Sequence, residues 1–248
     1  MTAPRTVTRR TAGVAGALHW AAARMPFVED EVAGLREFVR PGDVCLDIGA
    51  EYGLYTWALS HLVGGAGQVH SVEPLPGPAR WLRLASRTLG CANVVVHRTA
   101  LGSRTGHGVL SLPMRCGTPV HGRAYLTEGA DGPGPNAEFR TSRPVPTTVD
   151  TLDRLVRGAG LEKVSFVKAD VEGAEPAVLE GARDTLLRHR PVLLLEIEHR
   201  HLAKYGASPA DLVRRLRPFG YRMRRWHGGR WAETREVRDD CRNYLFTD

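Results

Sequence analysis

The sequence predicts an α/β protein built on a mostly parallel sheet of seven strands with helices on both faces. Short apolar runs alternate with stretches of helical periodicity along most of the chain, and the first of these runs is 44–48. Such alternation is typical of βαβ units, in which the crossover helices cover a parallel sheet. The chain has 248 residues, of which 42% are hydrophobic. It is therefore long enough to bury one large core.

The predicted elements follow one another in a regular order, separated by Gly and Pro residues. The predicted strands are 44–48, 68–72, 93–97, 164–169 and 192–196, with further β-like pieces at 221–226 and 243–246. The predicted helices lie around 55–62, 81–89 and 178–186, with others starting at Thr151 and Pro209. We expect the last two β-like pieces to form an antiparallel C-terminal edge of the sheet.

Two segments differ from this regular pattern. Residues 1–40 show helical spacing at positions such as Val32 and Leu35, which predicts N-terminal helices before a main domain of residues 41–248. Residues 103–147 are rich in Gly, Pro and Thr and contain only short β-like pieces such as 108–112. We interpret them as a variable insertion, or flexible flap, over the functional edge of the domain.

The composition excludes several classes of protein. No apolar run approaches the roughly 20 residues that a membrane-spanning helix needs. The cysteines are too far apart for a paired zinc or disulfide pattern, and reduced thiols in a cytoplasmic protein are the expectation. These residues are Cys45, Cys91, Cys116 and Cys241. The sequence does not indicate an oligomeric state.

The net charge of +7 arises from 34 basic and 27 acidic residues, and nearly all of the basic residues are arginines. An arginine bias accompanied by abundant Ala, Gly and Pro fits GC-rich codons at least as well as a polyanionic partner. Net charge is weak support for nucleic-acid binding. A nucleic-acid partner is therefore not the favoured interpretation.

Acidic side chains occur at the ends of three predicted strands, at Asp47, Glu73 and Asp170. Ligands of open parallel sheets bind beyond the carboxyl ends of the strands. The glycine turn 49–53 lacks the dinucleotide spacing, and its Glu51 would repel a pyrophosphate at the following helix. A cofactor that is cationic at this end, such as S-adenosylmethionine, fits the turn better. Glu73 could then accept hydrogen bonds from both ribose hydroxyls. The alternative for the glycines is an ordinary tight turn, and the alternative for Glu73 is a solvated carboxylate in a loop.

Several segments between about residues 40 and 200 form a distinctive set. They are 47–53 (DIGAEYG), 72–74 (VEP), 100–102 (ALG), 151–153 (TLD), 167–175 (VKADVEGAE) and 195–197 (LEI), with 243–246 (NYLF) near the end. In these segments the sequence resembles the FkbM family of S-adenosylmethionine-dependent methyltransferases. Glu51 differs from the family, which usually has Asn in the glycine turn.

The resemblance implies a Rossmann-like class I methyltransferase fold and methyl transfer to oxygen, commonly a hydroxyl of a natural product, sugar or lipid. It also implies that Gly49, Gly53 and Glu73 hold the cofactor and that Ala100 and Leu101 border its adenine. Together with their neighbours, these positions give the full candidate cofactor set. The set is Asp47, Gly49, Ala50, Glu51, Gly53, Glu73, Pro74, Ala100, Leu101 and Asp170.

Three residues are candidates to bind or deprotonate the methyl acceptor. Asp170 and Glu172 lead because they follow the fourth predicted strand at the cofactor edge, and His199 comes next, just past the fifth. The alternative for residues 172–175 is that they cap the next helix, whose first turn favours acids. Lys168 would be buried on its strand, so we expect a structural ion pair with a carboxylate.

The stretch 196–201 combines acids and imidazoles, and with Asp170 it could form an oxygen-rich magnesium site. Surface histidines and a helix cap are the favoured interpretation, and no metal is predicted. The reaction that the resemblance implies is methyl transfer to a hydroxyl of a small molecule.

The main alternative function uses the C-terminal segment, where nine arginines between 214 and 238 alternate with Tyr221, Trp226 and Trp231. A basic aromatic surface of this kind could belong to an RNA methyltransferase or an RNA-binding protein. A solvated face balanced by nearby acids is favoured, because no RNA-binding signature accompanies the charge. A nicotinamide dehydrogenase is a more distant alternative.

Overall fold

A computed structural model describes residues 29–248, which form two sheets and their covering helices. The main sheet has eight strands. Along the chain they are β1 (Val44–Ile48), β2 (Gln68–Val72), β3 (Val94–His97), β9 (Phe166–Ala169), β10 (Val192–Glu196), β11 (Arg222–His227), β12 (Arg230–Glu233) and β13 (Asn243–Thr247). Their order in the sheet is β12-β11-β13-β10-β9-β1-β2-β3.

The strands from β10 to β3 in this order are all parallel, whereas β13, β11 and β12 form an antiparallel edge. The helices within the described residues are α1 (Leu54–Val63), α2 (Pro76–Leu89), α3 (Leu152–Gly158), α4 (Glu175–Glu180), α5 (Arg183–His189), α6 (His199–Leu202) and α7 (Pro209–Leu216). Shorter 3-10 turns occur at Asp30–Glu37, His121–Arg123, Gly134–Glu138, Ala203–Tyr205 and Arg217–Phe219.

Alternate residues of the parallel strands pack into two cores, one on each face of the sheet. Leu46 and Val167 belong to one core, and their neighbours Cys45 and Phe166 belong to the other. This alternation explains why apolar residues occur on both faces of the parallel strands. The predicted α/β class with a mostly parallel sheet covered on both faces is confirmed.

The sheet has eight strands where seven were predicted, and the additional strand is β12. Its Trp231 is buried, contacts Phe38 edge-on and donates a hydrogen bond to the carbonyl of Gly34 at 3.2 Å. Of the expected N-terminal helices, the structure shows the 3-10 turn Asp30–Glu37, whose Val32 and Leu35 are buried. Residues 1–28 lie outside the described residues.

The single helix expected around 178–186 is instead two short helices, α4 and α5, which separate near Gly181. A Cβ atom at Gly181 would stand 2.1 Å from the carbonyl oxygen of Gly102. The close approach of these two backbones requires glycine and interrupts the helix. Helix α3 begins as predicted, since the Thr151 side chain accepts a hydrogen bond from the Arg154 N–H.

The insertion at 103–147 is an ordered sheet rather than a flexible flap with short β pieces. Its strands, together with flanking residues, are β4 (Ala100–Leu101), β5 (Gly106–Arg115), β6 (Thr118–Pro119), β7 (Tyr125–Leu126) and β8 (Thr141–Asp150). Strands β5 and β8 pair antiparallel from Gly106 opposite Val149 to Met114 opposite Thr141. The prolines and glycines in these strands weaken the sequence pattern, but the long pairing compensates for them.

Two further properties concern the chain as a whole. Within residues 29–248, no helix is both long enough and apolar enough to cross a membrane. The same residues contain all four cysteines of the sequence, and no disulfide joins them.

Candidate active site

A cavity of about 110 Å³ lies beyond the carboxyl ends of β1, β2 and β9, where the small sheet covers the main one. We call it the acidic cavity. Most of the predicted site residues line it. They are Gly49, Glu51, Glu73, Pro74, Ala100, Leu101, Asp170 and Glu172. The topology of the sheet therefore brings together residues that are more than a hundred positions apart in sequence.

A second cavity, of about 130 Å³, lies on the other side of the glycine turn and shares Gly49, Glu51 and Asp170 with the first. Two further predicted residues, Asp47 and Ala50, line this second cavity and not the acidic cavity. Asp170 and Glu51 therefore stand between the two spaces. A ligand that extended along the turn from one cavity to the other would contact both Asp170 and Glu51.

The glycine turn holds β1 close to β9. Gly49 has φ +80, and a Cβ atom there would stand 1.8 Å from the carbonyl oxygen of Asp170. Glu51 also has a left-handed backbone, with φ 45, which is unfavourable for a glutamate. Gly53 lines neither of the two cavities and packs against Trp57 and Leu82. Its cofactor contact stays a prediction, and its φ of 93 permits the turn before α1.

Glu73 is buried at the end of β2 and is held by two backbone donors. Its Oε2 atom accepts a hydrogen bond from the Glu51 N–H at 2.9 Å, and its Oε1 accepts one from the Leu75 N–H at 2.7 Å. Burial raises the pKa of Glu73 to about 7, although the two backbone hydrogen bonds lower it. Each oxygen keeps a second lone pair, so the side chain can accept two more hydrogen bonds from a ligand.

Asp47 is buried beneath the turn, where the Thr56 hydroxyl donates a hydrogen bond to its Oδ2 at 2.5 Å. Burial raises the pKa of Asp47 to about 6, and the Thr56 hydrogen bond lowers it in part. Glu51, which is less buried, has its pKa raised by desolvation and by the charge of Asp170. The turn is therefore surrounded by carboxyl groups.

Lys168 is the counter-charge beneath these acids, as the sequence predicted. Its Nζ atom lies 3.4 Å from Oδ2 of Asp170 and 4.9 Å from the centre of the Tyr55 ring. Burial lowers the pKa of Lys168, but the charge of Asp170 and of nearby carboxylates raises it above its usual value. The lysine therefore stays charged and acts as an ion-pair partner, not as a nucleophile.

Glu172 contacts His201 and not His199, which is the histidine that the sequence indicated as a candidate for the active site. His199 is exposed and lines neither cavity, because it occupies the outer side of the short helix α6. His201 is buried, and its Nδ1 atom lies 2.6 Å from Oε2 of Glu172. The expectation of surface histidines is therefore correct for His199 and wrong for His201.

Glu175 does not cap α4 through a side-chain hydrogen bond. Its Oε1 atom instead accepts hydrogen bonds from the Val171 and Gly173 N–H groups of the preceding loop, at 2.9 and 3.3 Å. Burial raises the pKa of Glu175 to about 7. This side chain therefore fixes the loop that carries Asp170 and Glu172.

The model of the FkbM methyltransferase domain matches residues 47–223. The chain belongs to the FkbM methyltransferase family. The match includes the glycine turn, Glu73 and the segment around Asp170, which also carried the resemblance in sequence. The predicted family and the Rossmann-like class I methyltransferase fold are confirmed.

One relative is 31-O-demethyl-FK506 methyltransferase FkbM of Streptomyces tacrolimicus, which is 29% identical over 164 residues. The match covers 59% of this chain and 62% of that relative. The chain therefore matches less than two thirds of the relative's length.

Two solved structures share the fold. The FkbM methyltransferase of Methylobacillus flagellatus KT has a TM-score of 0.50 at 18% identity, with 98% of this chain and 56% of that chain covered. Fibrillarin of Aeropyrum pernix, solved with S-adenosyl-L-methionine, has a TM-score of 0.51 at 16% identity, with 92% and 76% covered.

The insertion of this FkbM chain contributes site residues that the sequence did not indicate. His121, Gly122 and Tyr125 line the acidic cavity, and Gly122 donates a backbone hydrogen bond to Glu51. Lys204 is buried with its Nζ 4.2 Å from the centre of the Tyr125 ring, and desolvation lowers the pKa of Lys204 to about 8. These contacts depend on the fold of the small sheet, so local patterns could not reveal them.

The C-terminal aromatic residues do not form an exposed surface. Trp231 is buried, and Trp226 packs edge-on against it with the two ring centres 5.2 Å apart. The Tyr221 hydroxyl donates a hydrogen bond to the Pro191 carbonyl at 2.7 Å. Arg225 lies 3.1 Å from Asp240, which balances part of the basic charge. These three rings are therefore not displayed as a platform on which bases could stack.

Proposed function

We propose that this chain is an S-adenosylmethionine-dependent O-methyltransferase that acts on a hydroxyl group of a small molecule. The observation that carries the proposal is the acidic cavity at the carboxyl ends of β1, β2 and β9, with Glu73 buried at its edge. Family membership supports the reaction class. The absence of an exposed aromatic platform among Tyr221, Trp226 and Trp231 favours a small acceptor over RNA.

The charges around the glycine turn fit the methyl donor. Asp47, Glu51, Glu73 and Asp170 line the two cavities on either side of the turn. A sulfonium and an ammonium group would be stabilised there, whereas a pyrophosphate would be repelled. Lys168 offsets only part of this charge, because it is already paired with Asp170.

Glu73 fits the recognition of ribose. Both of its oxygens are fixed by backbone donors, so the carboxylate is held in one orientation before the ligand arrives. Two ribose hydroxyls could donate to the remaining lone pairs without displacing these bonds. Ala100 and Leu101 line the same cavity and offer an apolar surface for the adenine.

When bound, S-adenosylmethionine supplies a methyl group on a positively charged sulfur, so the chain must align the acceptor and remove its proton. Asp170 is the proposed base, because its side chain is partly exposed at the edge that both cavities share. Oε2 of Glu172 is contacted by His201, so Glu172 is a weaker candidate. His199 is no longer proposed, because it lies outside both cavities.

The name of one relative supports the proposed acceptor class. The Streptomyces relative is named as a 31-O-demethyl-FK506 methyltransferase, which supports a hydroxyl of a natural product as the acceptor here. We expect both substrates in the cytoplasm, where glutathione and thioredoxin would keep the exposed Cys116 reduced.

The proposal is tested by titration calorimetry with S-adenosylhomocysteine. The wild-type chain should bind one equivalent, and Glu73→Gln should weaken the binding by about tenfold or more, since it removes a charge-assisted pair of hydrogen bonds. Glu180→Gln is the control, because Glu180 is exposed and lines neither of the two cavities. No binding by the wild type, or equal binding by Glu73→Gln, would contradict the proposed site.

A further inference from the structure

Three buried side chains meet beside the acidic cavity, and of these only Glu172 figures in the proposed methyl transfer, as the weaker candidate for the base. Glu172 follows β9, Glu196 ends β10, and His201 lies in α6. One ligating atom from each of them lies within 4.8 Å of the other two. The exposed fractions of these residues are 7%, 8% and 2%. Buried carboxylates of this kind require a compensating partner.

The contact between His201 and Glu172 is not a hydrogen bond. Nδ1 of His201 lies 2.6 Å from Oε2 of Glu172, yet the geometry leaves both atoms without a hydrogen-bond partner among the described residues. Nε2 of His201 also has none there. Two ligands of one metal ion stand on the order of 3 Å apart with their lone pairs directed at the ion and not at each other. The observed contact has this character.

No basic group nearby donates a hydrogen bond to Oε2 of Glu172, whereas Glu196 shares a hydrogen bond with the Asp170 side chain and lies near the charge of Lys168. Nε of Arg123 is 3.9 Å from Oε2 of Glu172, which is too far for a hydrogen bond. Lys168 is paired with Asp170. Lys204 lies over the Tyr125 ring and near the charge of Glu172, but its Nζ makes no hydrogen bond within the described residues. Glu172 also has a left-handed backbone, with φ 57. Such strain is retained where it has a role, and here it accompanies the placement of the Glu172 carboxylate beside His201.

We propose that Glu172, Glu196 and His201 bind a divalent transition-metal ion. Imidazole nitrogen with two carboxylates suits Mn²⁺, Fe²⁺ or Zn²⁺, whereas Mg²⁺ and Ca²⁺ prefer oxygen ligands alone. Three protein ligands leave at least one coordination position open, as in catalytic metal sites. Because Glu172 also lines the acidic cavity, an acceptor oxygen is the ligand class that this open position fits.

The test uses the untagged full chain after treatment with a chelator, titrated with Mn²⁺ or Zn²⁺ in a calorimeter. The loss of the free Mn²⁺ signal in electron paramagnetic resonance reports the same binding. We expect one equivalent per chain, Mg²⁺ binding at least tenfold weaker, and a loss of affinity of at least tenfold in His201→Ala, Glu172→Gln and Glu196→Gln. His199→Ala, which removes an exposed histidine from the same short helix, should bind like the wild type.

Near-ultraviolet circular dichroism identifies any variant that fails to fold. The metal affinity of the wild type is then compared with that of the variants that do fold. A wild-type chain that binds neither Mn²⁺ nor Zn²⁺ would overturn the proposal and leave a simple pair between His201 and Glu172. Equal affinity in the wild type and in folded His201→Ala would also overturn it. The readout does not involve S-adenosylmethionine, so its outcome is separate from that of the proposed methyl transfer.

Discussion

Glu73 accepts a hydrogen bond from the backbone N–H of Glu51 at 2.9 Å, which ties the end of β2 to the glycine turn after β1. The bond joins two features that the sequence could predict only separately: an acid at a strand end and a turn that repels phosphate. It also fixes the carboxylate before a ligand binds.

Affinity for S-adenosylhomocysteine should depend on pH through Glu73. Its pKa is about 7 in the chain without ligand, and the ribose hydroxyls need the ionised form as acceptor. Protonation therefore competes with binding, so the dissociation constant should be constant above pH 7 and rise up to about tenfold per pH unit below it. Calorimetry at several pH values measures this profile. Glu73→Gln should lose this dependence, and an identical profile in both chains would contradict the assignment.

Gly49→Ala should destabilise the protein by about 2 to 4 kcal/mol. The new Cβ atom would stand 1.8 Å from the carbonyl oxygen of Asp170, and the φ of +80 is unfavourable for alanine. Urea unfolding measures the change. The control is Gly158→Ala, where a Cβ has no neighbour within 4 Å, and which should be neutral or stabilising by up to about 1 kcal/mol. Similar losses in both variants would mean that the close approach at Gly49 is not the cause.

Glu51→Asn should raise the free energy of unfolding by about 0.5 to 1 kcal/mol. Glu51 has a φ of 45, and asparagine adopts this left-handed backbone more easily than glutamate. Glu51→Gln is the matched control, because it removes the charge and keeps the unfavourable backbone. Thermal or urea unfolding measures the stability of the wild type, Glu51→Asn and Glu51→Gln. A lower stability of Glu51→Asn than of Glu51→Gln would show that the left-handed backbone at Glu51 is not the cause.

Stability should fall as the pH rises from about 4.5 to about 7, in part because of Glu175. Its pKa is raised from 4.5 to about 7, so between these values the folded chain holds a proton that the unfolded chain releases. The unfolded state binds fewer protons there, which makes the slope negative, with at most about 1.4 kcal/mol per pH unit from one such group. Glu73 and Asp47 have raised pKa values of the same sign.

Glu175→Gln should remove the contribution of this one group and flatten the slope. Urea unfolding at pH 5, 6, 7 and 8 measures the stability of both chains. Glu180→Gln is the control and should keep the wild-type slope, because Glu180 is exposed at the end of the same helix. An unchanged slope in Glu175→Gln would show that Glu175 ionises normally in the folded chain.

The parallel part of the main sheet could be predicted from the sequence because its strands are buried on both faces. Strands β1, β2 and β10 have the predicted bounds, because each is a short segment between stretches of helical periodicity and is followed or ended by Gly, Pro or Glu. The acids at the ends of β1, β2 and β9 could likewise be assigned to one edge. Parallel strands share that edge regardless of their separation in sequence.

The remaining parts depend on contacts that no local pattern encodes. The pairing of β5 with β8 places Gly106 opposite Val149. Prolines and glycines within these strands interrupt the alternating pattern by which strands are recognised in a sequence. His199 and His201 have similar sequence surroundings in a helix of only four residues, and the packing of α6 alone decides which is buried. The extra strand β12 is stabilised by Trp231 against Gly34, which is 197 positions away.

We propose that the glycine turn accepts a positively charged methyl donor and rejects a pyrophosphate. The most direct measurement is calorimetry of one preparation with S-adenosylmethionine and, separately, with a nicotinamide dinucleotide. We expect one equivalent of S-adenosylmethionine to bind, with weaker binding in Glu73→Gln, and no binding of the dinucleotide at millimolar concentration. Binding of the dinucleotide that depends on Glu73, with none of S-adenosylmethionine, would contradict it.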